Sequence, residues 1–190
     1  MLKRLFDVLA SCILLVMLSP FLLIIACITA ISTKGSVIYT QERIGLNRKP
    51  FIMYKFVSMY ADAEKNGPAL WVLHDERQTK WGELMRKRRI DELPQLWNIL
   101  KGDMSFVGAT RPERLFYIQQ IVQQNANYWK LLQQKPELIS LGIIEFGYAS
   151  SVEEMLQRMQ FDLQYLQKVS WKSDLVIIAK AVYKVLFGKV

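Results

Sequence analysis

The sequence predicts an α+β fold, mainly helical, and three observations carry that prediction. The chain opens on an uncharged apolar run, two β-branched and aromatic runs then flank a turn, and several later stretches repeat apolar residues at helical spacing. With 190 residues there is enough chain for one domain with a real core and too little to expect two. The division read from the sequence is a membrane helix over residues 1–34 and a second part over 35–190, the two acting as one unit.

Composition narrows the function classes. Hydrophobic residues make up 52% of the chain and mean hydropathy is +0.11, apolar for a soluble protein. Lysine and arginine outnumber aspartate and glutamate 25 to 17, so the expected partners are anionic: phosphates, nucleic acid or acidic lipid headgroups. Cys12 and Cys27 both fall in the apolar run, act there as small hydrophobes and imply no oxidising compartment. His74 is the single histidine, so Ser/His/Asp chemistry would have to pass through one residue and a His/Cys zinc site cannot be assembled.

The first element is the run from Val8 to Ile31, which contains no charge. As one helix it would reach roughly 36 Å at about 1.5 Å per residue, enough to cross a bilayer. Pro20 falls near its middle and removes a backbone hydrogen bond there, while Lys3 and Arg4 before the run and Lys34 after it give both flanks a cytoplasmic look. A helix that breaks at Ser19-Pro20 and returns to the same face fits both observations, with Ser19 re-satisfying freed backbone groups. A kinked spanning helix fits as well. A secretion signal ending at the Ile24-Ile25-Ala26-Cys27 box is a third reading, opposed by Asp7 and by the continuation of the run past Cys27.

The hairpin comes next. Ser36 to Thr40 and Phe51 to Phe56 are strand-like and flank Gly45-Leu46-Asn47-Arg48, a turn; such a two-stranded element must pack on helices. Helices are expected over Met59–Lys65, Lys80–Arg88, Asp91–Leu100, Arg111–Gln133, Val152–Val169 and Ser173–Phe187. In the last of these Leu175, Ile178, Ala179, Val182 and Leu186 form an apolar stripe, with Lys180 and Lys184 on another side. That is the pattern of an amphipathic interfacial helix, and equally of an ordinary core helix with a solvated edge.

Chemistry concentrates at Arg86-Lys87-Arg88-Arg89-Ile90-Asp91-Glu92-Leu93-Pro94-Gln95, where four basic residues run into two adjacent carboxylates at a helix start. The bland reading makes Asp91 an N-cap, Glu92 a dipole partner and the basic run a solvated face. The functional reading makes the cluster an anion site whose carboxylates hold a divalent metal or attack phosphorus. Lys55 at a strand end and Arg111 after Gly108-Ala109-Thr110 are further cations that together could close on one phosphate.

Along the first 113 residues these motifs stand in an order that resembles the small monotopic phosphoglycosyl transferases, the bacterial sugar transferases. They are Lys3-Arg4-x-x-Asp7, Ser19-Pro20, Gln41-x-Arg43-x-Gly45, Lys55-Phe56-x-Ser58-Met59, Asp62-Ala63-Glu64, Asp75-x-Arg77-x-Thr79, Asp91-Glu92-Leu93-Pro94-Gln95-Leu96, Gly102-Asp103-Met104-Ser105 and Arg111-Pro112-Glu113. The resemblance implies transfer of a phosphosugar from a UDP-sugar to a polyprenol phosphate, usually undecaprenyl phosphate, with release of UMP at the start of cell-surface glycan assembly. It makes Asp91 the nucleophile that forms a phosphosugar intermediate, Glu92 its partner, and Mg²⁺ the metal held by Asp91 and Glu92. Lys55, Arg86, Arg111 and Gln95 become the substrate-contacting set, Arg111 toward the uridine nucleotide. Ser19-Pro20 becomes the break of a re-entrant helix, amphipathic interfacial helices surround the site, and the chain sits on the cytoplasmic face of the bacterial inner membrane. It matches the family's short form, without a preceding multi-pass region. Phospholipid is an expected partner, nucleic acid is not, and a homo-oligomer is left open.

The sequence also departs from the family pattern. Position 57 is Val where an arginine is usual, Ala109-Thr110 replace one proline of a Val-Gly-Pro-Arg-Pro motif, and a Pro-Gly-x-Thr pattern becomes Pro136-Glu137-Leu138-Ile139. These departures motivate an alternative, a non-catalytic member acting as a membrane-bound binding or scaffold protein. A third reading, a tethered basic module that binds nucleic acid or acidic lipid by charge, explains the +8 but not the paired carboxylates.

Overall fold

A computed structural model of the chain describes residues 2–60, 63 and 75–187. The expected Met59–Lys65 helix, Asp62, Glu64 and His74 lie outside these residues, apart from a bridge at Met59 and a turn at Ala63, as does the Leu186 side chain. The fold is mainly helical with a small antiparallel hairpin and an apolar N-terminal helix. That helix, α1, spans Leu2–Thr33 with Pro20 inside it. The break expected at Ser19-Pro20 does not interrupt helical structure. Proline cannot donate to the Val16 carbonyl, and Ser19 Oγ does so instead at 2.8 Å.

Strands β1 (Ile38–Ile44) and β2 (Pro50–Phe56) pair antiparallel, with Tyr39 opposite Lys55. Asn47 and Arg48 take positive φ in the turn between them. Helix α2 spans Lys80–Lys87. The helix expected over Asp91–Leu100 divides into a 3-10 turn at Ile90–Glu92 and α3 at Gln95–Lys101, because Pro94 lacks the N–H that would join them and instead occupies the N-cap. Asp91 is therefore not a helix cap. Strand β3 (Ser105–Gly108) pairs parallel with β4 (Glu137–Ser140), a sheet not expected from the sequence. The helix expected over Arg111–Gln133 is two, α4 (Leu115–Gln124) and α5 (Tyr128–Leu131), with Arg111–Glu113 extended enough for Glu113 to bridge Ile44. Helices α6 (Leu141–Glu145), α7 (Val152–Gln167) and α8 (Trp171–Phe187) complete the chain.

The core gathers Leu96, Ile99, Met104, Ile118, Ile121, Leu131 and Met159, and a smaller cluster joins Ile25 to Phe56 and Met85. The first half of α1 packs on the large core through Phe6, Ala10 and Leu14, and the second half on the small cluster through Leu22 and Ala26. Polar contacts fix both halves. Lys3 pairs with Asp174 at 2.5 Å, Arg4 donates to the Ile99 and Leu100 carbonyls, and buried Asp7 accepts from Ser105 Oγ and the Phe106 N–H. Farther along, Thr29 Oγ1 accepts from Trp81 Nε1 at 3.0 Å. The outer face of α1 exposes Leu5, Leu9, Ile13, Val16, Met17, Leu23, Ile24 and Ile31. On α8 the expected stripe divides: Ile178 packs on the core, whereas Leu175, Ala179 and Val182 face outward; Ile177, outside that stripe, is the buried residue, and Val176 and Tyr183 are exposed beside it. Lys180 and Lys184 do not form a free basic face, because they bind Glu145 Oε1 and the Ile144 carbonyl of α6.

Candidate active site

Three local devices assemble the site. Thr79 caps α2 by accepting from the Gly82 N–H at 2.8 Å while its own N–H donates to the Ser58 carbonyl at 3.1 Å. Gly82 is required there, because a Cβ would stand 1.8 Å from that carbonyl oxygen. The first turn of α2 thus lies against the exit of β2 and aims Arg86 at the cavity. Next, Arg89 takes the left-handed conformation (φ 55, ψ 23), uncommon outside glycine, and reverses the chain into the tight turn that carries Asp91 and Glu92. Finally, buried Asn98 of α3 imitates a neighbouring strand: its Oδ1 accepts from the Tyr54 N–H at 3.1 Å and its Nδ2 donates to the Ile52 carbonyl at 2.6 Å. That amide holds the helix behind the carboxylates in register with the strand that carries Lys55.

These elements enclose a cavity of about 680 Å³. Asp91, Glu92, Lys55, Arg86 and Arg111 all line it, as does Val57. Gln95 does not. It points inward, 2% exposed, with Nε2 buried and unpartnered among the described residues. Ser19 and Pro20 lie exposed on α1, away from the cavity. Arg43, Arg158 and Tyr148 also line it and were not singled out as site residues by sequence reasoning. Arg43 belongs to the Gln41-x-Arg43-x-Gly45 motif, whereas nothing in the sequence marks Tyr148, whose ring lies 4.9 Å from the Arg89 guanidinium carbon and 5.2 Å from that of Arg111.

The two carboxylates have opposite surroundings. Glu92 Oε1 accepts from Lys55 Nζ at 3.1 Å and from Arg111 Nη2 at 2.7 Å. Burial alone would raise its pKa, but Arg111, Lys55 and Arg89 outweigh burial and hold Glu92 well below the usual carboxylate range. Asp91 is 6% exposed and accepts no hydrogen bond among the described residues. Burial, reinforced by the Glu92 charge, pushes it up against the pull of Lys55, Arg86 and Arg111. Glu92 is thus a committed anion that anchors two cations, and Asp91 keeps its oxygens available.

Donors without acceptors point the same way. Among the described residues, Arg111 Nη1 and Arg43 Nε, both on side chains that line the cavity, are buried without a hydrogen-bond partner, as is Arg89 Nε beside it. Such orphaned groups cost free energy unless a ligand supplies oxygens to them. Among the described residues no group of three or more His, Cys, Asp or Glu gathers to hold a metal. Asp91 and Glu92 still suit Mg²⁺, which takes one or two protein carboxylates and completes its shell with water and substrate phosphate.

The chain matches the bacterial sugar transferase family over residues 1–188. It is 33% identical over 186 residues to the UDP-N-acetylgalactosamine-undecaprenyl-phosphate N-acetylgalactosaminephosphotransferase of Aeromonas hydrophila, covering 98% of this chain and 44% of that protein. It is 35% identical over 189 residues to the UDP-glucose:undecaprenyl-phosphate glucose-1-phosphate transferase of Klebsiella pneumoniae, covering 98% and 40%. With the uncharacterized sugar transferase EpsL of Bacillus subtilis it shares 37% identity over 189 residues, 99% of this chain and 89% of that one. The chain spans less than half the length of the first two relatives. With a match over nearly its whole length, the chain belongs to the bacterial sugar transferase family.

Proposed function

We propose that the protein is a phosphoglycosyl transferase that moves a phosphosugar from a UDP-sugar to undecaprenyl phosphate and releases UMP. One observation carries the reading: a free carboxylate, Asp91, stands beside a neutralised one, Glu92, in a cavity walled by cations. The activities named for the Aeromonas and Klebsiella relatives support the substrate classes.

The chemistry follows from placement. Lys55, Arg86 and the unpartnered Arg111 Nη1 receive the diphosphate oxygens of the donor. An Asp91 oxygen attacks the sugar-bearing phosphorus, and the bond from that phosphorus to the bridging oxygen breaks. UMP leaves with that oxygen and its electron pair. An oxygen of the polyprenol phosphate then attacks the same phosphorus, the bond to Asp91 breaks, and the carboxylate is restored. Glu92 does not react; it keeps Lys55 and Arg111 in place. Mg²⁺ held by Asp91 and Glu92 would supply neutralisation of the crowded phosphate charge.

The reading places residues 1–34 as a re-entrant membrane helix and 35–190 as a catalytic domain on the cytoplasmic face. The two ends of α1 support it. Asp7 and Thr29 are about 33 Å apart along a helix at 1.5 Å per residue, a full hydrocarbon thickness. Yet Asp7 binds Ser105 and Thr29 binds Trp81, both in the same domain. A crossing helix would separate those partners by the bilayer. The outward apolar residues of α1 and α8, with Trp97 and Phe116, form the surface that meets lipid in this arrangement.

The test is UMP release by the purified protein with Mg²⁺, undecaprenyl phosphate and a panel of UDP-sugars. Wild type releases UMP with at least one donor, and Asp91→Asn loses essentially all of it. A folded wild type inert across the panel would falsify this reading in favour of a non-catalytic member.

A further inference from the structure

Two departures from the family pattern, far apart in the sequence, meet in the structure. By the resemblance drawn from the sequence motifs, Ala109-Thr110 stand where the pattern has one proline and Glu137 where it has glycine; in this chain the two sites are in direct contact. Thr110 is 1% exposed and is held at three atoms. Its N–H donates to Glu137 Oε2 at 2.5 Å, its carbonyl accepts from the Glu137 N–H at 3.1 Å, and its hydroxyl lies 3.4 Å from the Tyr128 hydroxyl. The next residue is Arg111, which donates to Glu92 at 2.7 Å. Gly108 leaves the room this needs, since a Cβ there would stand 2.8 Å from the Lys135 carbonyl oxygen and 2.9 Å from Glu137 Oε2.

Glu137 lies outside the cavity lining and is 1% exposed, so it touches no substrate. We propose that Glu137 is a positioning residue for the transfer reaction, fixing the lengthened loop at Thr110 and so setting Arg111 against Glu92 and the donor diphosphate. The inserted residue and the carboxyl side chain are then one device: the longer loop needs an acceptor for the Thr110 N–H, and Glu137 supplies it. A buried N–H deprived of its partner leaves its segment free to shift. Burial, with the Asp162 charge adding to it, pushes the Glu137 carboxyl well above the ordinary range. The side-chain amide oxygen of glutamine, at the same reach, can accept the Thr110 N–H in its place.

The inference rests on the transferase reading, and the test separates the two. Full-length wild type, Glu137→Gln, Glu137→Ala and a double variant joining Glu137→Gly to deletion of Thr110 are compared in detergent. The readouts are KM for the UDP-sugar, kcat for UMP release, and affinity for UMP by titration calorimetry. Glu137→Gln stays near wild type. Glu137→Ala raises KM and weakens UMP binding by about tenfold, with a smaller change in kcat, the scale of one buried hydrogen bond. The double variant recovers most of that loss, and it decides the matter should Glu137→Ala fail to fold. Wild-type KM and UMP affinity in folded Glu137→Ala, or a folded double variant no better than inactive, overturn the inference. A wild type that binds UMP without turnover sinks the transferase reading alone, and the UMP affinities of the variants then decide this one; a wild type that does neither overturns both.

Discussion

Asp91 and Glu92 are adjacent in one tight turn, and their environments differ sharply. Glu92 is buried and bound by two cations on one oxygen, whereas Asp91, also buried, has none bound directly among the described residues. Breaking such a buried pair from one side leaves the other charge uncompensated. Arg111→Met is therefore expected to lower stability by about 3–5 kcal/mol and to remove UMP release, measured by denaturant titration in detergent and by turnover. A variant as stable as wild type would mean that Glu92 is neutralised without Arg111. The residues that sequence reasoning placed here are those whose type announces chemistry: Asp91, Glu92, Lys55, Arg86 and Arg111 all reach the cavity. Gln95 does not, because a position one turn beyond the carboxylates faces the core, and Tyr148 arrives from a distant loop that no local pattern marks.

Elements follow the same division. Helices α2, α7 and α8 are legible because each buries one stripe and exposes the rest, so periodicity survives in the sequence. Strands β3 and β4 are not legible. All four residues of β3 are buried, which erases alternation, and its parallel partner lies beyond two intervening helices. The buried acids beneath that sheet carry a pH signature. Asp162 accepts from the Gly142 N–H at 2.8 Å, yet burial raises its pKa from 3.8 to about 7 despite Arg158. A carboxyl with a raised folded pKa binds its proton more tightly in the folded state. Its stabilising effect is complete below 3.8 and is lost as pH climbs to about 7, on the order of 4 kcal/mol in all. Asp162→Asn keeps the acceptor and lacks the titration, so its melting temperature should fall less than that of wild type over this range. Parallel curves for the two proteins would place the titration elsewhere.

At the scale of the whole molecule, α1 is a structural beam that is also long and apolar enough to enter a membrane. Its inner face completes two apolar clusters and its outer face is a continuous apolar surface. Under the proposed arrangement, a helix held to one domain at both ends enters the bilayer from one side only. Reporters fused to the two termini should therefore both report cytoplasm, and a periplasmic N-terminus would require the Asp7 or the Thr29 contacts to be absent in the cell. The same arrangement brings the C-terminal end of α1 to the cavity, where Thr33 and Lys34 border the opening. In the proposed reading this is where a lipid phosphate would meet Asp91, which lines the same cavity.

The central claim is that Asp91 is the nucleophile, and intact-protein mass spectrometry tests it most directly. Purified protein is incubated with Mg²⁺ and a UDP-sugar that supports turnover, without polyprenol phosphate, and quenched in acid. The predicted result is a mass increase of one sugar phosphate, mapped to the peptide that carries Asp91, absent from Asp91→Asn and discharged when undecaprenyl phosphate is added. Full turnover with no adduct, together with an active Asp91→Asn, would contradict it.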